Sequence, residues 1–305
     1  MLCKVLILGA GGLGCELLKN LVMLNEIVNE IHIIDYDTIE LTNLNRQFLF
    51  TTNDIGKSKA EVAANYIKSH FPKLINEDKL KIVAHYKDLT KVPIGFLSKF
   101  DFVISGLDAI EPRRFINQKL VELTRTTNFE KCIPFIDGGV EGLKGHAKTI
   151  IPGITACWEC SIDTFPLTQL TVPMCTIINN PRNIDHIIEY VVSVELKNLN
   201  YDNEEDQNTL LSHCIQRANK YNIELDPLKF NTNYIIGIVK KIIPNVCTTN
   251  AIIAGQCCNE LLKIYYDLSD FDNLENFTNY NGSQGSYLIS FSHDRMPDCV
   301  ICGDI

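Results

Sequence analysis

Lys4-Val5-Leu6-Ile7-Leu8-Gly9-Ala10-Gly11-Gly12-Leu13-Gly14-Cys15-Glu16-Leu17-Leu18 is the stretch on which the fold turns. A short apolar run, the mark of a buried strand, leads directly into G-x-G-x-x-G, and leucines then recur at helical spacing through Leu24. Glycines permit a tight turn and let backbone N–H groups come close to phosphate, while the start of the helix favours negative charge. Outward from this turn, Ile31–Ile34 reads as a second strand ending in Asp35, 21 residues after Gly14, where a carboxylate accepts hydrogen bonds from ribose hydroxyls. Strand, glycine turn, helix and acid together predict a nucleotide site. Taken alone they fit a dinucleotide-binding dehydrogenase.

The alternation continues along the chain. Ser58-Lys59-Ala60-Glu61 has the capping-box form and opens a helix that Pro72 follows. Leu80–Ala84, Phe102–Ser105, Ile133–Ile136 and Lys148–Ile151 read as strands, and Pro112 suits the first turn of another helix. This pattern predicts an α/β fold, a Rossmann-like, mostly parallel sheet with helices on both faces. Beyond about residue 160 the pattern becomes helical (Ile184–Val194, Thr209–Tyr221, Phe230–Ile243), with Asn198–Asn208 as a solvated acidic loop. A long helix at 248–266 and a hairpin, Phe277–Asn281 with Ser286–Ser292, bring the chain back to the sheet. The expected division is 1–160, first part of the nucleotide domain; 161–243, a helical insertion; and 244–305, the return.

Composition narrows the class. The net charge of -9 argues against nucleic acid as the main partner. No apolar run reaches a membrane-spanning length and no secretory signal stands at the start, so a soluble protein of the cytoplasm or nucleus is expected, with no membrane partner.

The segment after Asp35 does not suit a dehydrogenase. Asn43, Asn45, Arg46 and Gln47, within five positions, form a polar cluster between apolar flanks. Arg46 can clamp phosphate oxygens with two parallel hydrogen bonds, and Lys59 brings a second cation to a helix start. Asp108 follows a buried strand, the place where ligands bind in an open α/β sheet, and suits Mg2+; its alternative role is to cap the following helix. Two cations with these carboxylates favour a triphosphate over a dinucleotide, with a surface ion-pair network as the alternative reading.

Among twelve cysteines, Cys157/Cys160 and Cys299/Cys302 form two C-x-x-C pairs. Four thiolates suit a closed tetrahedral Zn2+ site, with a redox dithiol as the rival reading. Cys3, Cys15, Cys132, Cys214, Cys247, Cys257 and Cys258 read as buried thiols in apolar or helical patterns. Cys175 lies in Val172-Pro173-Met174-Cys175-Thr176-Ile177, where Pro173 disfavours a continuous helix; Arg182 and His186 follow nearby.

GAGGLG, DYDTIELTNLNRQFLF, DIGKSKAEVAA and GLDAIEPRRFIN resemble the adenylation domain of ubiquitin-like-modifier activating enzymes, of the ThiF/MoeB kind. The resemblance runs on through FIDGGVEGLKGHAKTIIPG, ACWEC, VPMCTI, IIPNVCTTNA and PDCVIC, nearly the whole chain, and is strongest to the catalytic subunits of neddylation (Rub-type) activating enzymes, the short fungal form in particular. It implies that Gly9, Gly11, Gly12, Gly14, Asp35, Asn43, Asn45, Arg46, Lys59 and Arg113 contact ATP, with Asp37 and Gln47 alongside and Asp88-Leu89 flanking the adenine. It implies Asp108 as the Mg2+ ligand, the four paired cysteines as a structural Zn2+ site, and Cys175 as the thioester nucleophile within an inserted catalytic-cysteine domain. Arg46, Lys59 and Asp108 then serve catalysis together with Cys175.

The same resemblance implies a homologous second subunit in an obligate heterodimer, a ubiquitin-like modifier and a conjugating enzyme as partners. It also sets an expectation that the ubiquitin-fold domain common at the C-terminus of such enzymes is missing here. Rival readings are an activating subunit for another modifier (SUMO type), an NAD oxidoreductase, and a scaffold without activity.

Overall fold

The computed structural model describes residues 2–75, 80–164, 181–196, 199–201, 203–227, 230–239, 245–270 and 274–303. Two compact units are distinguished, one made of 1–165 with 245–305 and the other of 166–244.

The first unit is built on an eight-stranded sheet: β1 Cys3–Leu8, β2 Val28–Asp35, β3 Lys81–Tyr86, β4 Phe102–Ser105, β5 Phe135–Glu141, β6 Lys144–Ile150, β7 Phe277–Asn281 and β8 Tyr287–Phe291, in the order β3-β2-β1-β4-β5-β6-β7-β8. The first five are parallel and the last three antiparallel. Side chains of β1 alternate between two cores because a strand points successive residues to opposite faces. Val5 and Ile7 pack with α1 (Gly12–Met23), α2 (Lys59–His70) and a long late helix (247–265). Leu6 and Leu8 pack with α3 (Ile94–Leu97) and α4 (Ile110–Thr126). Helices thus cover both faces, and the nucleotide-type turn lies at the C-terminal ends of the parallel strands.

Two local readings are corrected. Strand β5 runs past Ile136 to Glu141 and forms a hairpin with β6, turning at Gly142, whose φ is +57°. Gly138, Gly139 and Gly145 are strand residues, and a side chain at Gly139 would run into the His146 ring at 2.2 Å. The acidic run 204–206 lies in the first turn of a helix rather than in a loop, with Asn203 capping it through a hydrogen bond from the Glu205 N–H at 3.0 Å. Acidic side chains in a first turn are favoured by the helix dipole.

In the second unit α5 (Ile184–Tyr190), α6 (Glu204–Lys220) and α7 (Thr232–Val239) share a core of Ile187, Ile188, Val191, Leu210, Cys214, Ala218 and Ile235. The chain then returns to the sheet through the long helix, α8 (Cys247–Tyr265). Its first residue, Cys247, is exposed and Cys132 is half-buried, so these two thiols are not the buried core residues that the helical pattern suggested. The last strand, β8, ends the sheet and leaves Tyr287, Leu288, Ile289 and Phe291 exposed.

Candidate functional site

The glycine turn owes its shape to close approach. Gly9 has φ +90°, and a side chain on Gly14 would meet the Gly9 carbonyl oxygen at 2.0 Å, so β1 and α1 come together only if that position is bare. A side chain on Gly12 would strike Asn250 of α8 at 2.3 Å. Gly11 differs: nothing lies within 4 Å of the place a side chain would occupy. It caps α1 without a side-chain hydrogen bond, and the first turn carries no acidic residue. With no acidic side chain of its own in that first turn, this helix end suits phosphate.

At the end of β2, both Asp35 carboxylate oxygens accept backbone hydrogen bonds, from Ala10 at 2.6 Å and from Asp37 at 2.7 Å. These bonds fix the carboxylate beside the turn. Burial pushes its pKa above the ordinary value despite those two bonds and the charge of Lys59. Lys59 is buried and pairs with Asp37 at 2.8 Å. Asn43 is buried and its side chain accepts from the Glu40 N–H at 2.9 Å, which shapes the loop. Arg46 donates to the Thr42 carbonyl at 2.8 Å and to the exposed Asn45 side chain at 3.0 Å. Two buried polar atoms in this loop, Arg46 Nε and Gln47 Oε1, have no hydrogen-bond partner among the described residues. An unpaired buried donor is costly, and Arg46 Nε is the kind of group that a phosphate oxygen satisfies. The residues present thus fit a nucleotide triphosphate.

Asp108 stands in the loop between β4 and α4, exposed, with no carboxylate partner among the described residues. It does not cap α4, since Ala109 occupies that position. A free carboxylate over the C-terminal edge of the sheet fits a hard cation. Arg113 is buried below it. Its guanidinium donates to the carbonyls of Leu107 and, at 3.1 Å, Gly138, and its Nε lies 3.5 Å from Asp137. It holds the loop in place rather than presenting its charge at the surface. Asp88 caps the short turn after β3, accepting from the Thr90 N–H at 3.0 Å and hydroxyl at 2.7 Å, and borders a groove of about 560 Å3 with His85, Lys87, Lys91, Phe96 and Lys99. Leu89 is buried in the α3/α4 core.

The paired cysteines converge. The Sγ atoms of Cys157, Cys160, Cys299 and Cys302 all lie within 4.8 Å of one another, with Cys157–Cys299 at 3.7 Å, Cys157–Cys160 at 3.8 Å and Cys160–Cys302 at 3.5 Å. Tetrahedral zinc with bonds of about 2.3 Å places its sulfurs about 3.8 Å apart, a spacing that these three contacts match, so the donor set fits Zn2+. Lys148, buried in β6, donates to the Cys157 carbonyl at 2.8 Å and to the Ser161 hydroxyl. Cys175, the expected nucleophile, lies outside the described residues. Arg182 and His186 bond to each other, the Arg182 N–H donating to His186 Nδ1 at 3.1 Å.

The sequence reading missed Asp137. This carboxylate is fully buried between Arg113, His146 (3.6 Å) and the Trp158 indole N–H, which donates at 2.9 Å. Burial alone would raise its pKa; the Arg113 charge and the His146 and Trp158 contacts outweigh it and hold the carboxyl below its ordinary value.

A protein-family model, that of the ThiF family, matches residues 2–300. This chain belongs to the ThiF family. The ThiF-type chain is 58% identical over 302 residues to the NEDD8-activating enzyme E1 catalytic subunit of Saccharomyces cerevisiae, covering 99% of this chain and 98% of that one. It is 40% identical to the Drosophila melanogaster protein of the same name, over 99% of its own length and 66% of the longer relative. SUMO-activating enzyme subunit 2 of Dictyostelium discoideum is 39% identical, over only 61% of this chain and 26% of that one. Among solved structures, Escherichia coli MccB, crystallised with ATP, matches with TM-score 0.58 and 20% identity over 99% of this chain and 66% of that one, a likeness of fold alone. No helix among the described residues is long and apolar enough to cross a membrane.

Proposed function

We propose that the chain is the catalytic subunit of a NEDD8-type (Rub-type) modifier-activating enzyme, which adenylates the modifier's C-terminal glycine with ATP and then carries it as a thioester on Cys175. The observation that carries this reading is the full-length likeness to the yeast catalytic subunit, joined to a ThiF-type site in which the buried donor Arg46 Nε has no partner among the described residues. The SUMO-type relative matches a smaller part of the chain, so the NEDD8-type reading is preferred.

The residues divide the work as follows. The α1 N–H groups and Arg46 hold phosphate oxygens, Asp35 accepts from the ribose, and Lys59, steadied by Asp37, lends positive charge where the phosphates gather it. Asn43, Asn45 and Gln47 complete the polar wall, and Asp88-Leu89 lie beside the base. Asp108 would hold Mg2+, which when bound offsets phosphate charge. The modifier's terminal carboxylate attacks the α-phosphorus, pyrophosphate leaves, and an acyl adenylate results. The Cys175 thiolate then attacks the activated carbonyl, AMP leaves, and the thioester passes to the thiol of a conjugating enzyme. Arg113, whose guanidinium donates to the Leu107 carbonyl, stays among the nucleotide contacts. Zn2+ on the four thiolates has a structural role. A homologous second subunit completes the assembly.

Cys175→Ala tests the division between the steps. ATP–pyrophosphate exchange should persist in the variant, and the thiol-reducible enzyme–modifier adduct should vanish. An adduct that survives the substitution removes Cys175 from the reaction. Parallel adduct assays with purified NEDD8-type and SUMO-type modifiers decide between the two modifiers.

A further inference from the structure

The two residues between the thiols of the first cysteine pair both reach α4, the helix that begins just after Asp108. Trp158 donates its backbone N–H to the Asn117 side chain at 2.9 Å and its indole N–H to Asp137 at 2.9 Å. Asp137 meets Arg113, whose guanidinium also lies 6.0 Å from the Trp158 ring and donates to the carbonyl of Leu107, next to Asp108. Glu159 receives two parallel hydrogen bonds from Arg114, at 2.9 and 2.6 Å. The cysteine knuckle thus grips α4 at Arg113, Arg114 and Asn117. Trp158, Asp137 and Asn117 are all buried. A charged hydrogen-bond chain in such surroundings resists displacement, because breaking one member leaves another unpaired.

Asp108 itself has no bond of this kind among the described residues. Its position comes from the loop, and the loop's last fixed point is the Leu107 carbonyl. We propose that Trp158, Asp137 and Glu159 are positioning residues for the adenylation step: through Arg113 and Arg114 they set where the Asp108 carboxylate stands, so the four-thiol site and the Mg2+-binding loop move as one piece. This inference rests on the adenylation reading and on Asp108 as the metal ligand. It assigns to the cysteine knuckle an effect on nucleotide chemistry that a purely structural tie would not have.

The chain contains a single tryptophan, so position 158 carries its own reporter. The experiment uses the complete active assembly with wild type, Trp158→Phe and Glu159→Gln. ATP–pyrophosphate exchange is followed as free Mg2+ is titrated at fixed ATP, with zinc content and melting midpoint measured on each preparation. Loosening the loop should raise the half-saturating Mg2+ about fivefold for Trp158→Phe, and less for Glu159→Gln, the loss of a hydrogen bond to a charged group being worth about that much when felt in part at a distance. Excess Mg2+ should restore the wild-type maximal rate, while zinc content stays unchanged.

The tryptophan signal, taken as the difference between wild type and Trp158→Phe, should change on adding Mg2+·ATP. Half-saturating Mg2+ unchanged in both variants overturns the proposal, as does a lowered maximal rate that Mg2+ does not restore. Should Trp158→Phe fail to fold, the half-saturating Mg2+ of Glu159→Gln decides alone, and an unchanged value overturns the proposal. Wild-type assembly without any exchange removes the adenylation reading itself, and the inference with it; wild-type exchange with insensitive variants removes the inference alone.

Discussion

The two ligand clusters of the sheet-bearing unit are built on opposite plans. The cysteine cluster consists of four like donors already gathered within 4.8 Å, three contacts of which match the sulfur spacing of tetrahedral zinc. The nucleotide cradle is made of unlike groups, some paired with each other (Lys59 with Asp37), some tied to backbone (Asp35), and some without protein partners among the described residues (Arg46 Nε, Asp108). The first arrangement is complete once one ion enters and has no further position to offer. The second stays incomplete until substrate arrives, which is what turnover requires: a site fully satisfied by its own side chains would have to break those bonds at each cycle.

Three measurements press on that contrast. The largest effect belongs to the closed cluster. Cys302→Ser removes one of four converging donors, and since structural zinc binding contributes directly to folding, the melting midpoint should fall by more than about 10 °C with loss of bound zinc. A stable variant that retains full zinc would mean that the cluster is not closed. Next comes Asp108→Ala. It should cost about a hundredfold or more in ATP–pyrophosphate exchange while leaving the melting midpoint in place, because the carboxylate supports nothing but its ligand. A large drop in stability would place Asp108 with the structural cluster instead.

The smallest effect, a baseline outside both sites, is Glu30→Gln. Partial burial disfavours the Glu30 charge, but hydrogen bonds from His32, Lys81 and Lys4 outweigh it and hold the carboxyl at about 2 against an ordinary 4.5. A depressed carboxyl adds stability above its unfolded value and loses it as pH falls through the folded one. The variant should therefore melt a few degrees lower at neutral pH, with the gap narrowing as pH drops from 4.5 toward 2. A gap that stays constant over that range would exclude charge as the cause.

Much of this was legible in the chain. The glycine turn, β1 and Asp35 were readable because bare backbone, buried run and lone acid each have one economical explanation at that spacing. The two C-x-x-C pairs were readable as a metal site or a redox dithiol, and only the fold could bring positions 142 residues apart to 3.5 Å. The β5–β6 hairpin was harder. Its glycines make room for neighbours, His146 over Gly139 and Ile253 over Gly145, and close packing of that kind leaves no local pattern. Arg113 was named only through the resemblance, and its partners in β5 and the β4 loop are contained in no window along the chain. Asp137 was invisible because an acid within Phe135-Ile136-Asp137-Gly138-Gly139 gives no hint of the arginine, histidine and tryptophan that surround it.

Strand β8 has a consequence of another kind. It ends the sheet with Tyr287, Leu288, Ile289 and Phe291 in solvent, apolar side chains on both of its faces. Nature commonly blunts such edges with lysine, proline or a bulge, and Tyr287–Phe291 contains neither lysine nor proline. Colloidal behaviour follows from that: each molecule carries its own adhesive strip, and the tendency of copies to stick rises with concentration. Production of this chain in excess is therefore a question of solubility as much as of folding.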